Sequence, residues 1–323
     1  MDFEYGNVGL ERISVHDIRF RITTLAVSEA LLTSIRQVGL INPPVLLKAR
    51  EYFEIVSGFN RVAACRKLGM LEIRARILDS NTSLARCAQI AIADNTSQRS
   101  LNLMEQARSL ELLASCYQTQ EQLLGTARSL GLAINAEMAG KLRKLADMND
   151  SLKTGVAEGA VALPVALQLQ AMNDNILCDE LTALLVELCL SLNRQREILD
   201  WAVSICRRDN LSAAELLLSG NVLKIRQDAE LDRRQKGQLI RDELRRRRYP
   251  EIVRHEESFA LRLRRLHLPR GTRLIPPQHF ESPVYTLNLD FQDRREFSER
   301  LEELQRLAGS GMINVLWEDS NVD

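Results

Sequence analysis

The chain has 323 residues, 45% hydrophobic but only 5% aromatic, a content that fills sizeable cores and favours helix. Its length implies two or three domains, and 43 basic against 43 acidic side chains exclude a uniformly basic nucleic-acid coat. No 18-residue apolar window lacks a charge and the N-terminus has no basic or apolar leader, so neither a membrane helix nor a secretory signal is expected and a cytoplasmic location is.

Residues 10–15 alternate weakly and predict a short strand. Ser28 is placed to cap a helix with Ala30, Leu31, Ile35 and Val38 on its apolar face, and Gly39 to stop it. The Pro43-Pro44 pair leads into an extended run at 45–47. A second strand is expected at 52–56, a turn at Ser57-Gly58, a helix from Asn60 to Leu68 ending at Gly69, and a third strand at 73–78. Residues 83–219 read as short helices with breaks at Gly and Asn. Residues 224–248 read as one long charged helix ended by Pro250, followed by an irregular proline-marked connector. A strand at 284–289, an amphipathic helix at 294–307 and a strand at 313–317 would close the chain as a β-α-β unit with a parallel pair.

Charge is uneven. Residues 224–273 carry 16 Lys/Arg against 8 Asp/Glu, whereas residues 274–323 carry 4 against 10. The basic segment, with Arg245, Arg246, Arg247 and Arg248 at its centre, is the one electrostatic footprint for DNA phosphates; the interleaved Asp228, Glu230, Asp232, Asp242 and Glu243 give the alternative of a salt-bridged, solvated helix. Six scattered Cys without a CxxC, and four His away from them, predict buried hydrophobes rather than a zinc site.

At Ser57-Gly58 a strand runs into a glycine turn and a helix starts at once. Such a helix start offers unpaired N–H groups and the positive end of its dipole to an anion, with Arg61 in the first turn to pair with it. Three segments in order, 39–45, 58–69 and 93–107, resemble the N-terminal domain of ParB-type partition proteins. The resemblance implies an α+β fold with a ParB/sulfiredoxin-like N-terminal domain (1–100) and an all-helical middle domain related to the helix-turn-helix region (101–222); the residues beyond it read by themselves as a basic helix and connector (223–283) and a small C-terminal β-α-β module (284–323), which does not resemble the family's C-terminus. The resemblance also implies CTP and Mg2+ as cofactors, with Gly58, Asn60, Arg61, Asn95 and Arg99 on the nucleotide and Asp94 on the metal. DNA and a second copy of the chain follow as partners, with an unidentified protein for the C-terminal module.

The departures bear on activity. Phe59 stands where the family has Glu or His, Asn60 where it has the first Arg, and Ala63 where it often has another. Gln98 falls where the family has Arg, and Arg99 one place later, a rotation of about 100° were the helix to continue. CTP hydrolysis is expected to be weak at most. A sulfiredoxin reaction needs a cysteine just after the turn glycine, where this chain has Phe59. In the stretch 119–145, which resembles the family's helix-turn-helix, Ala133-Ile134-Asn135-Ala136-Glu137 occupies the start of the recognition helix, and Glu137 and Met138 are poor contacts for base edges. The first reading is a ParB-like DNA-associated protein, a CTP-binding clamp or a regulator in partition or transcription. Its alternatives are a scaffold that keeps the fold without nucleotide, and a phosphotransferase on the same fold. The nucleotide reading carries a condition: Phe59 must not fill the cleft, and Arg61 must not be locked to an internal carboxylate.

Overall fold

A computed structural model describes residues 3–172 and 174–310 and divides into two compact units, Met1–Arg196 and Glu197–Asp323. The first unit opens with β1 (Glu4–Gly9), a 3-10 turn, β2 (Ile13–Ser14), α1 (Glu29–Val38), β3 (Val45–Lys48), β4 (Phe53–Ser57), α2 (Phe59–Lys67), β5 (Glu72–Leu78) and α3 (Leu84–Thr96). The strands form one mixed sheet in the order β1-β5-β3-β4-β2, with β3 parallel to β5 and antiparallel to β4. The expected strand at 10–15 is only the short β2; the longer β1 was illegible because this edge strand buries Val8 and little else, so it shows no alternation.

Local chemistry fixes the elements. Ser28 Oγ accepts from the Leu31 N–H to start α1, and Gly39, at φ +77°, ends it. The buried face of α1 is Leu32 and Ile35, with Leu31 half-buried, while Ala30 and Val38 are exposed, so the helix is rotated from the expected face. That face packs with Val62 and Cys65 of α2 and with Leu46 and Ile55 of the sheet. Cys65, Cys87 and Cys178 are buried, as the composition suggested; Cys189 is exposed, at the left-handed end of a helix.

Seven further helices follow: α4 (Leu103–Ala114), α5 (Gln120–Ser129), α6 (Ala136–Ala146), α7 (Asp150–Ala157), α8 (Leu163–Ala171), α9 (Asn175–Leu188) and α10 (Leu192–Asp209), within which the two units divide. α4 is central, touching α3, α5, α6 and α7. Buried Gln195 staples this region by accepting from the Ala162 N–H and donating to the carbonyls of Ala160 and Leu190.

The second unit contains α11 (Ala213–Leu217), α12 (Gly220–Gln227), α13 (Arg233–Arg248), α14 (Pro250–Leu266), β6 (Thr272–Ile275), β7 (Thr286–Leu289) and α15 (Arg294–Gly309). The single helix expected at 224–248 is two, because Asp232 forms a capping box with Gln235 and restarts the chain as α13. Pro250 does not open an irregular connector; it occupies the first turn of α14, where its missing N–H costs nothing. The expected strand at 284–289 is present as β7, and its described partner is the upstream β6, antiparallel. The strand expected at 313–317 lies outside the described residues. Among the described residues no helix is long and apolar enough to cross a membrane.

Candidate functional site

Ser57 ends β4, Gly58 turns the chain at φ +95°, and α2 begins at Phe59 without a side-chain cap. A Cβ on Gly58 would lie 2.9 Å from Pro44 Cβ, so glycine is required here by the packing of the chain on itself as well as by its φ. The first N–H groups of α2 have no intrahelical acceptor and border a cavity of about 370 Å³. Its lining includes Gly58, Asn60, Arg61, Asn95 and Arg99, so the five residues expected on a nucleotide meet at one place. Arg99 reaches it because α3 ends at Thr96, and the rotation expected from its one-residue offset does not apply.

The charges at this cavity are already answered. Arg61 Nη2 donates to Asp94 Oδ2 at 2.5 Å, and its Nη1 donates to the carbonyls of Asn42 at 3.0 Å and Pro43 at 3.4 Å. The Ser57 hydroxyl donates to the same Asp94 oxygen, and Arg76 Nη2 lies 3.5 Å from Oδ1. Burial works to raise the Asp94 carboxyl, but the Ser57 hydroxyl and the two guanidinium groups outweigh it and hold the group below the usual carboxylate range. The condition on Arg61 therefore fails: its guanidinium is held by an internal carboxylate. Phe59 is half-buried against the domain core and lines the cavity without closing it.

Arg99 is held in the same way by an acid the sequence reading missed. Its two Nη atoms donate to the two oxygens of Glu105, each at 2.6 Å, and the Glu105 side chain has no exposed surface. Glu105 also accepts from the N–H of Thr24 at 3.0 Å and of Asn102 at 3.1 Å. Burial pushes this carboxyl up, but Arg99 and the two N–H groups hold it low. The available signal was the capping box: Asn102 followed three places later by Glu105. Asn60 Nδ2 donates to the Leu25 carbonyl, and Asn95 Nδ2 to the Ala91 carbonyl within its own helix.

Magnesium takes one or two carboxylates plus phosphate oxygens in an octahedron. The cavity lining contains no acid, Asp94 is committed to cations, and no group of three His, Cys, Asp or Glu among the described residues could hold a metal. The residues as arranged do not fit a magnesium ion at Asp94.

The two candidate DNA contacts are both crossed by ion pairs within the chain. α5 and α6 are arranged as two consecutive helices with the turn at 130–135, and at the start of α6 Glu137 pairs with Lys141 at 2.5 Å, leaving Arg143 and Lys144 as its exposed cations. In the basic run, Arg245 makes a two-pronged pair with Glu256 at 2.7 and 2.6 Å, and Arg247 meets Glu243 at 2.9 Å. Arg246 lies 3.7 Å from Glu243 and 3.5 Å from Glu257, and the Arg248 guanidinium sits 4.6 Å from the centre of the Tyr249 ring.

Residues 9–96 match the family model for the ParB N-terminal domain. The chain is 26% identical over 176 residues to a probable plasmid-partitioning protein ParB of Thermus thermophilus, covering 45% of this chain and 59% of that one. It is 29% identical over 170 residues to the nucleoid occlusion protein of Halalkalibacterium halodurans, covering 52% and 58%. It thus spans less than two thirds of the length of these curated relatives. Among solved structures, it is similar to the C-terminally truncated chromosome-partitioning protein ParB of Caulobacter crescentus complexed with CTP-gamma-S, at a TM-score of 0.26 and 19% identity, covering 57% of this chain and 99% of that one. Residues 9–96, which hold four of the five strands of the mixed sheet and the Gly58 turn, thus belong to the ParB N-terminal domain family.

Proposed function

We propose that this chain is a partition-type, DNA-associated protein that keeps the ParB fold as a scaffold and works without a bound nucleotide. The observation that carries the reading is the pairing of both cavity cations with acids of the same chain, Arg61 with Asp94 and Arg99 with Glu105. A triphosphate arriving at the turn would have to break charge-assisted bonds worth about 1.5–3 kcal/mol each before gaining its own. Asn60 and Ala63, standing where the family has arginines, remove guanidinium donors that could have compensated. DNA association follows from the family, and with it a place at the nucleoid.

The second reading is a cytidine-nucleotide clamp, and one observation favours it: Gly58, Asn60, Arg61, Asn95 and Arg99 border one cavity at the α2 N-terminus. Isothermal titration with CTP and with ATP, each with magnesium, separates the two. Absence of binding to both is the expected result. CTP-selective binding that disappears in Arg61→Ala would establish the clamp instead, and ATP turnover would point to a phosphotransferase.

The C-terminal hairpin and helix serve, in this reading, to join two copies of the chain. A two-stranded hairpin is marginal by itself in water. This one leaves Ile275 and Leu287 exposed, as are Phe291 beyond it and Phe297 on α15, while Phe259 and Tyr285 hold it to α14 with ring centres 5.8 Å apart. Sedimentation should show a dimer at micromolar concentration, and a double Leu287→Asp, Phe297→Asp variant should sediment as a monomer. A monomeric unaltered chain would remove this role.

A further inference from the structure

Beside the turn between β4 and α2, two guanidinium groups and a hydroxyl surround one carboxylate, with Ser57 from the end of β4, Arg61 from α2, Arg76 from β5 and Asp94 from α3. Asp94 Oδ2 takes Arg61 and Ser57, and Oδ1 faces Arg76. The Arg61 and Asp94 side chains retain only 12% and 18% of their exposure, so solvent screens the pair weakly. Two cations against one anion leave this half-buried place with an excess positive charge, and the buried Arg76 Nε has no hydrogen-bond acceptor. The positive end of α2, uncapped by any side chain, adds to the same sign. These donors are of the kind a phosphate oxygen uses, and a carboxylate oxygen of the chain already stands among them.

The family resemblance would make Asp94 a metal ligand. A carboxylate whose oxygens face two arginines offers a dication repulsion instead of a coordination site. We propose that Asp94 is a resident anion: its carboxylate occupies the place at which the Ser57, Arg61 and Arg76 donors would otherwise receive a phosphate oxygen, and it closes that place without a metal. The inference rests on the scaffold reading for the unaltered chain and adds the reason the turn is closed. Neutralising Asp94 then opens an anion site, whereas loss of a metal ligand would abolish one.

The test is calorimetric titration of the full chain and of Asp94→Asn with inorganic tripolyphosphate and with CTP, each in EDTA and in magnesium. Asp94→Asn should bind tripolyphosphate in EDTA at least tenfold more tightly than the unaltered chain. No gain in either protein sinks this inference and leaves the scaffold reading standing. Magnesium-dependent CTP binding by the unaltered chain that is lost in Asp94→Asn sinks both. Binding by the unaltered chain in EDTA, tighter still in the variant, removes the scaffold reading and keeps the resident anion. If circular dichroism shows that Asp94→Asn does not fold, Asp94→Ser takes its place. It removes the same charge and leaves Ser57, Arg61 and Arg76 as donors, so it should also bind tripolyphosphate at least tenfold more tightly than the unaltered chain; an unchanged affinity would count against the proposal as firmly as no gain in Asp94→Asn.

Discussion

Arg99–Glu105 in the first unit and Arg245–Glu256 in the second are nearly the same bond, two-pronged with contacts of 2.6–2.7 Å, and their arginines are equally exposed, at 35% and 36%. The acids differ: Glu105 has no exposed surface and binds two backbone N–H groups besides its arginine, whereas Glu256 keeps 40% of its exposure. Burial of the acid turns the first pair into a fixture of the fold, since a carboxylate left there without its partners would be uncompensated. Exposure leaves the second screened by water and salt. The geometry of an ion pair therefore says little until its burial is known.

Four measurements press on that contrast. The largest effect is expected for Glu105→Ala, which orphans Arg99 and the N–H groups of Thr24 and Asn102 together; urea denaturation should show a loss of about 3–5 kcal/mol. A loss under about 1 kcal/mol would place Glu105 with the surface pairs. The same acid predicts a pH dependence. Its folded-state value is depressed, so its contribution is fully present above the ordinary carboxylate range near pH 4.5 and is lost as pH falls below that range toward the folded value. Midpoints measured from pH 7 to 3 should fall chiefly below about 4.5, and the Glu105→Ala chain should show a shallower decline. The smallest effect is expected in the basic run. Arg245→Ala should cost under about 1 kcal/mol. Neutralising Arg245 to Arg248 together should leave the slope of DNA affinity against salt unchanged, because carboxylates of the chain already answer three of the four and Tyr249 shelters the last. A slope that falls by about 0.9 for each arginine removed would instead make them phosphate contacts.

The sequence made some of this plain and hid the rest for physical reasons. Ser28 and Gly39 marked both ends of α1, since caps act locally and leave local signatures. The three family segments pointed to the residues that border the cavity, because order and spacing survive divergence. The acids that neutralise them were harder to see. Asp94 and Arg61 are 33 positions apart, and their pairing depends on how β4, α2 and α3 meet. Glu105 is marked in the sequence as the acid of a capping box, which places it at the start of α4 but does not show that it also takes Arg99 and the Thr24 N–H. Pro250 was misread because a proline suits both the residue after a helix and the first turn of the next; only the chain beyond it, amphipathic through Leu266, decides.

The tie from Glu105 to Thr24 spans 81 positions and carries the irregular loop before α1 onto α4. The family segment stops at residue 96, short of that anchor. An excised 9–96 piece would lose both the edge strand β1 and the tether of that loop, so a piece meant to stand alone has to reach past both family boundaries, back to Glu4 and on into α4.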